Sequence, residues 1–331
     1  MHSLILNDNN MIKNTPLHKD INKLINILHF KYIYILLLMF FGCSDNKDKI
    51  IEEEQSEIKK LIPHGYSKFI FNQYEPLADK PIDVHTYLPD TSDTNIPVLF
   101  VIHGNARNAR DYCFAFVESA QNYNFLVICP ELNALQFPTS QEFQLGGLFK
   151  DNQLEDSTKW AFNYIEEIFS FIKKENVITS NSYGIYGHSA GSQFTHRLAL
   201  FTKSNNASIF IAANAGWYTT VDFDESFPYG LKNAPINENQ IIEKFKYPIT
   251  ILLGENDTDP NDSSLRKTEE AMRQGIHRFD RGNYFYDTAK DKANKLGVEF
   301  NWKLQTVPNV GHSNTEIAPV AAQIFISSLN N

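Results

Sequence analysis

The five residues Gly187-His188-Ser189-Ala190-Gly191 read G-x-S-x-G, and their flanks narrow what the chain can fold into. Before them, residues 183–186 (Tyr-Gly-Ile-Tyr) read as a short buried strand. After them, residues 192–201 place Phe194, Leu198 and Phe201 at helical spacing. A serine on a sharp strand-to-helix turn holds its hydroxyl above the sheet, where a substrate can reach it. Gly187 and Gly191 leave room for a strained backbone and for the helix to lie close on the strand. The plain alternative is an ordinary turn in a protein of alternating strands and helices. The decision rests on whether the rest of the chain supplies the partners a nucleophilic serine needs.

The texture from residue 62 onward suits such a fold. Residues 67–72 and 81–89 read as an edge hairpin. Residues 98–102 (Val-Leu-Phe-Val-Ile) are apolar throughout, as expected of a strand covered on both faces. A helix is expected over 108–123, a strand over 125–129 stopped by Pro130, and a helix over 160–174. Strands follow at 208–212, 249–253 and 298–307, with helices at 281–296 and 317–329. This alternation predicts an α/β domain over 62–331 with about eight strands, mostly parallel, and helices on both faces. No internal repeat or low-complexity block interrupts it. Sites in such sheets form beyond the carboxyl ends of strands, so the residues following each strand are the ones to inspect.

Three of those strand ends carry the needed chemistry. After 98–102 comes His103-Gly104-Asn105, a loop suited to aiming a backbone N–H at the charge that develops when a carbonyl is attacked. Asn105 is the expected donor, and Ala190, directly after the serine, supplies a second N–H. After 249–253 comes Gly254-Glu255-Asn256-Asp257-Thr258-Asp259. Asp257 is the expected carboxylate for orienting a histidine, with Asp259 and Glu255 within reach as rivals. The alternating acids there also suggest a calcium loop, but Asp262 and Thr268 stand where glycine and glutamate would be required, and no metal site is expected. After the last strand comes Val310-Gly311-His312-Ser313, which offers His312 as the base. His188, His196 and His277 read as incidental.

The resulting order Ser189, Asp257, His312 is that of one serine-hydrolase architecture and differs from the trypsin-like and subtilisin-like orders. On these motifs, residues 62–331 resemble the α/β-hydrolase superfamily, and most closely its bacterial secreted esterases and polyester-depolymerase-like members. The stretches 186–194, 212–218 and 310–314 resemble a less-characterised subgroup. The resemblance implies a serine esterase that works through a catalytic triad and an acyl-enzyme, without cofactors, on small-molecule or polymeric esters. Alternatives are a serine peptidase, a lipase or a thioesterase of the same fold, or a non-catalytic surface lipoprotein that binds a ligand. Phe137, Trp217 and Tyr218 follow strands and are candidate pocket aromatics, with core packing as their other reading. The stretches 131–158 and 217–246 are the only candidates for a lid.

The N-terminus reads separately. Residues 32–41 are apolar, too short to span a bilayer well and the right length for a signal-peptide core. Lysines precede the run, and Phe40-Phe41-Gly42-Cys43 ends it in a pattern that resembles a bacterial lipobox, with Phe40 where an aliphatic residue is usual. The expectation is a lipoprotein signal peptide over 1–42, acylation of Cys43, a charged flexible tether over 43–61, and export to the periplasm or cell surface with the lipid held in a membrane. The whole chain carries a formal charge of −9. Residues 1–42 hold four Lys against Asp8 and Asp20, so the processed chain carries −9 − 2 = −11. With no basic stripe, nucleic acid is not an expected partner. Cys113 and Cys129 are read as core thiols, with pairing in an oxidising compartment as the alternative.

Overall fold

The structure, a computed structural model, describes residues 61–203 and 206–330. The expected leader over 1–42, Cys43 and all but the last residue of the tether lie outside the described residues.

In chain order, β1 (Gly65–Phe71) and β2 (Ile82–Leu88) are followed by β3 (Val98–Ile102), α1 (Ala109–Phe114), α2 (Val117–Tyr123) and β4 (Leu126–Glu131). A two-stranded ribbon, β5 (Phe149–Lys150) with β6 (Gln153–Leu154), precedes α3 (Asn163–Lys174), β7 (Tyr183–His188), α4 (Ala190–Phe201) and β8 (Ala207–Ala213). The chain ends with α5 (Glu238–Phe245), β9 (Ile249–Gly254), α6 (Glu269–Gln274), α7 (Arg278–Leu296), β10 (Lys303–Val307) and α8 (Asn314–Ser328). Eight strands make one sheet in the order β1-β2-β4-β3-β7-β8-β9-β10, parallel except where β2 meets β1 and β4. The expected count, sheet type and covering helices are therefore all present.

The continuous apolar runs have a direct cause. Along β3, Val98, Phe100 and Ile102 face one core while Leu99 and Val101 face the other. The first core lies under α3, α4, α5 and α7, with Tyr164, Phe194, Phe245 and Phe285 among its members. The second lies under α1, α2 and α8, through Tyr112, Ala120 and Phe325. Both faces of the central strands are dry, so no polar alternation survives in the sequence. Cys113 and Cys129 sit in the second core as free, buried thiols, and burial together with a hydrogen bond from the Cys129 thiol to Cys113 raises Cys129 well above its ordinary range.

Several boundaries differ from expectation. Pro130 does not stop β4; it pairs with Val84 of β2, at a point where the β3 pairing has already ended at Ile128. With a neighbour on one side only, a residue without an N–H is accommodated. The helix expected over 108–123 is two helices. The strand expected over 298–307 starts at Lys303, because Phe300 and Trp302 are packed instead against Phe245.

Candidate active site

Ser189 lies between β7 and α4 with φ 57° and ψ −116°, a backbone conformation that side-chain-bearing residues rarely adopt. The turn is tight enough to explain both glycines. A Cβ on Gly187 would stand 2.2 Å from the Gly191 carbonyl oxygen, and one on Gly191 would stand 2.1 Å from that of Ile102. The Ser189 N–H donates to the Ala213 carbonyl (2.9 Å), which ties the elbow to the end of β8.

The structure brings the three candidate residues together from three loops. His312 Nδ1 lies 2.7 Å from Asp257 Oδ2, and His312 Nε2 lies 3.0 Å from Ser189 Oγ. A carboxylate only accepts, so Nδ1 carries the ring proton and Nε2 turns its lone pair to the serine hydroxyl. Asp257 is buried, its second oxygen 3.5 Å from Arg278 Nη1. Arg278 also binds Asp262 and the Ser264 hydroxyl, and the guanidinium, with the Ser264 hydroxyl donating to the same carboxylate, holds Asp262 well below the usual carboxylate range. The rivals for Asp257 are placed elsewhere. Asp259 is exposed and accepts from the Asn261 N–H, while Glu255 accepts from the Thr306 hydroxyl.

The His103–Asn105 loop runs beside the serine. A Cβ on Gly104 would lie 3.8 Å from Ser189 Cβ. His103 itself is buried and structural: its Nε2 accepts from the Leu132 N–H, so its Nδ1 donates to the Gly104 carbonyl (2.9 Å). Burial lowers its pKa to about 4, leaving it neutral. The Arg107 N–H also donates to the Gly104 carbonyl. With that oxygen pinned, the trans peptide turns the Asn105 N–H the opposite way. Arg107 fastens the loop to the stretch expected as a lid, donating to the Leu132 and Phe137 carbonyls, and Gln144 donates to the Asn105 side chain at 3.3 Å. Ala190 is the first residue of α4, so its N–H has no partner one turn back in the helix.

Two of the three pocket aromatics are corrected. Phe137 stands edge-on to Tyr164 in the first core, and Tyr218 stacks on Phe285 at 4.6 Å with no exposed surface. Both rings fill the first core. Trp217 is buried too, but its ring carries the guanidinium of half-buried Arg266 at 4.9 Å, with Arg197 at 4.3 Å.

Residues not singled out as functional also belong to this site. The His188 ring lies tilted against that of His312 with centroids 4.6 Å apart, Tyr112 and Asn214 lie against His188, and Arg278 against Asp257. His196 and His277 serve structure: the first bridges the Ser192 carbonyl and the Thr219 N–H, and the second caps α7. Among the described residues no cluster of three His, Cys, Asp or Glu side chains is arranged to hold a metal.

No protein-family model and no curated protein matches the chain. Solved structures do. Poly(aspartic acid) hydrolase-1 from Sphingomonas sp. KT-1 is 38% identical over 80% of this chain and 99% of its own, with a TM-score of 0.77. A poly(3-hydroxybutyrate) depolymerase from Bordetella parapertussis is 28% identical over 83% of this chain and 94% of its own, with a TM-score of 0.78. An S-formylglutathione hydrolase from Agrobacterium tumefaciens shares the fold at 15% identity and a TM-score of 0.54, covering 80% and 95% of the two chains. On the sheet order, the strand-end placement of Ser189, Asp257 and His312, and a relative of this identity aligned over nearly its whole length, the chain belongs to the α/β-hydrolase family.

Proposed function

We propose that the protein is a serine hydrolase that cleaves carboxylic esters through an acyl-enzyme. The observation that carries this reading is the unbroken line Asp257–His312–Ser189, ending on a serine held in a strained elbow. Ser189 Oγ attacks the ester carbonyl carbon while His312 Nε2 takes its proton. Asp257 keeps the ring in the required tautomer and balances the imidazolium that forms. The N–H groups of Asn105 and Ala190 receive the oxyanion. His312 then returns the proton to the leaving alcohol, and water repeats the sequence on the acyl group. These steps call for no metal and no organic cofactor. A relative named for a polyester supports a polymeric or small ester as substrate. The apolar run 32–41 followed by Gly42-Cys43 supports an exported lipoprotein anchored by an acylated Cys43.

A fluorophosphonate probe tests the chemistry. It is expected to label the wild-type protein at Ser189, and a panel of esters graded in acyl length and aromaticity then ranks substrates. A folded wild-type protein that stays unlabelled would sink the proposal and favour a ligand-binding lipoprotein.

One observation favours a second substrate class, an anionic polymer. Arg266 has no ion-pair partner among the described residues, and its guanidinium donates only to the Tyr229 hydroxyl. Its backbone carbonyl and that of Gly216 are both held by Arg281, which ties it to the loop that follows β8. A relative named for poly(aspartic acid) points to the same carboxylate-bearing class. On this reading Arg266→Gln loses about 10- to 100-fold in kcat/KM on an acidic polymer, the scale of a charged hydrogen bond, and little on a neutral ester. Equal losses on both substrates would remove Arg266 from recognition.

A further inference from the structure

Beneath the candidate triad lies a buried side chain that touches all three of its loops. Asn214 directly follows β8 at φ 49°, a conformation asparagine tolerates better than most residues. Its own N–H donates to the Leu252 carbonyl (3.1 Å), which fixes its backbone on β9. Its side chain then reaches in three directions. Oδ1 accepts from the Gly254 N–H at 2.9 Å, and the carbonyl of that same glycine accepts from the Asp257 N–H. Nδ2 donates to the carbonyl of Gly311, the residue before His312, at 3.3 Å. Nδ2 also stands 3.5 Å from Nε2 of His188, the residue before Ser189, a contact at the long limit of a hydrogen bond.

The amide orientation is set by its partners, because Gly254 offers a donor and Gly311 an acceptor. Among side chains of this size only asparagine satisfies both at once. The layer continues past His188, whose Nδ1 lies 3.0 Å from the Tyr112 hydroxyl, and a Cβ on Gly104 would stand 2.6 Å from that hydroxyl. Burial, and then the neighbouring His312 and Arg278, push the His188 imidazole well below its ordinary range, and its ring lies tilted against that of His312. A polar floor of Tyr112, His188 and Asn214 thus runs from the oxyanion-side loop to the acid loop.

We infer that Asn214 is a positioning residue: its amide holds the Asp257, His312 and Ser189 loops in mutual register, with His188 and Tyr112 carrying that register on to the Gly104–Asn105 loop. The inference rests on the triad reading proposed above. Its physical basis is that reacting groups misplaced by about 1 Å lose about 10²-fold in rate while ground-state binding is hardly touched.

The test uses Asn214→Asp, which keeps the acceptor for Gly254 but turns an acceptor towards the Gly311 carbonyl. Its kcat on an activated ester is expected to fall about 10²-fold, with KM within about twofold of wild type and fluorophosphonate labelling slowed in step. Phe169→Leu, a core change on α3 at the far end of β7, serves as the stability control: it lowers Tm without lowering kcat. Tyr112→Phe removes only the hydroxyl from the floor and is expected to cost about tenfold in kcat, so the inference stays testable even if Asn214→Asp fails to fold. Wild-type kcat in either folded variant, or a change confined to KM, overturns the positioning role. An unlabelled wild-type protein overturns the triad reading itself, so the two failures are separable.

Discussion

Ser189→Ala is expected to lower kcat for ester hydrolysis by about 10⁶-fold while leaving Tm close to wild type. The substitution deletes one oxygen whose only hydrogen-bond partner among the described residues is His312 Nε2. The Cβ remains, so the elbow at φ 57° is no more strained for alanine than for serine. The N–H groups of Asn105 and Ala190, the donors proposed for the oxyanion, are left in place, so a residual advantage of about 10³- to 10⁴-fold over water should persist. His312→Ala is expected to cost a comparable factor, and the double variant hardly more than either single one, because groups that act as a unit fail together. Steady-state kinetics with a chromogenic ester, alongside a thermal melt, decide the matter. A loss below tenfold would mean that the chemistry belongs to another group.

The candidate site was legible in the sequence to the extent that it lies along the chain. Ser189 and Asp257 each follow a strand buried along its whole length, His312 follows the alternating edge strand β10, and the sheet order carries β7, β9 and β10 to neighbouring positions with β8 between the first two. What stayed hidden depends on contacts between distant segments. Arg278 reaches Asp257 from the first residue of a helix 21 positions away. Asn214 lies in the stretch 212–218, whose resemblance to a subgroup assigns it no role; that role exists only where the loops after β7, β9 and β10 converge. His188 reads as a filler of the G-x-S-x-G motif because nothing in the sequence places its ring on His312. Element ends were lost for similar reasons. α7 begins before the expected residue 281 because the His277 ring accepts from the Asp280 N–H, and histidine is not among the residues that announce a helix start. The stretch 298–302 carries the aromatics of a strand, yet those rings fill the space beside Phe245, and packing decides the outcome over propensity.

Asp257→Asn is expected to reduce kcat by about 10⁴-fold, although it preserves shape and nearly all contacts. The reason lies in what surrounds the carboxylate. One oxygen accepts from His312 Nδ1 and the other faces the guanidinium of Arg278. An asparagine has one acceptor and one donor to place against these two neighbours. Arg278 has only donors to offer, so it captures the amide oxygen and leaves the NH2 group pointing at His312 Nδ1. That nitrogen must then present a lone pair, and the ring proton moves to Nε2, where it blocks acceptance of the serine proton. Arg278 therefore makes the isosteric change more damaging, because it fixes which way the amide turns. Asp259→Asn, on the exposed side of the same loop, is expected to change kcat by less than about twofold. A large loss in the Asp259 variant with a small one in the Asp257 variant would transfer the orienting role to the neighbouring acid. Comparable small losses in both would show that His312 holds its tautomer without a carboxylate.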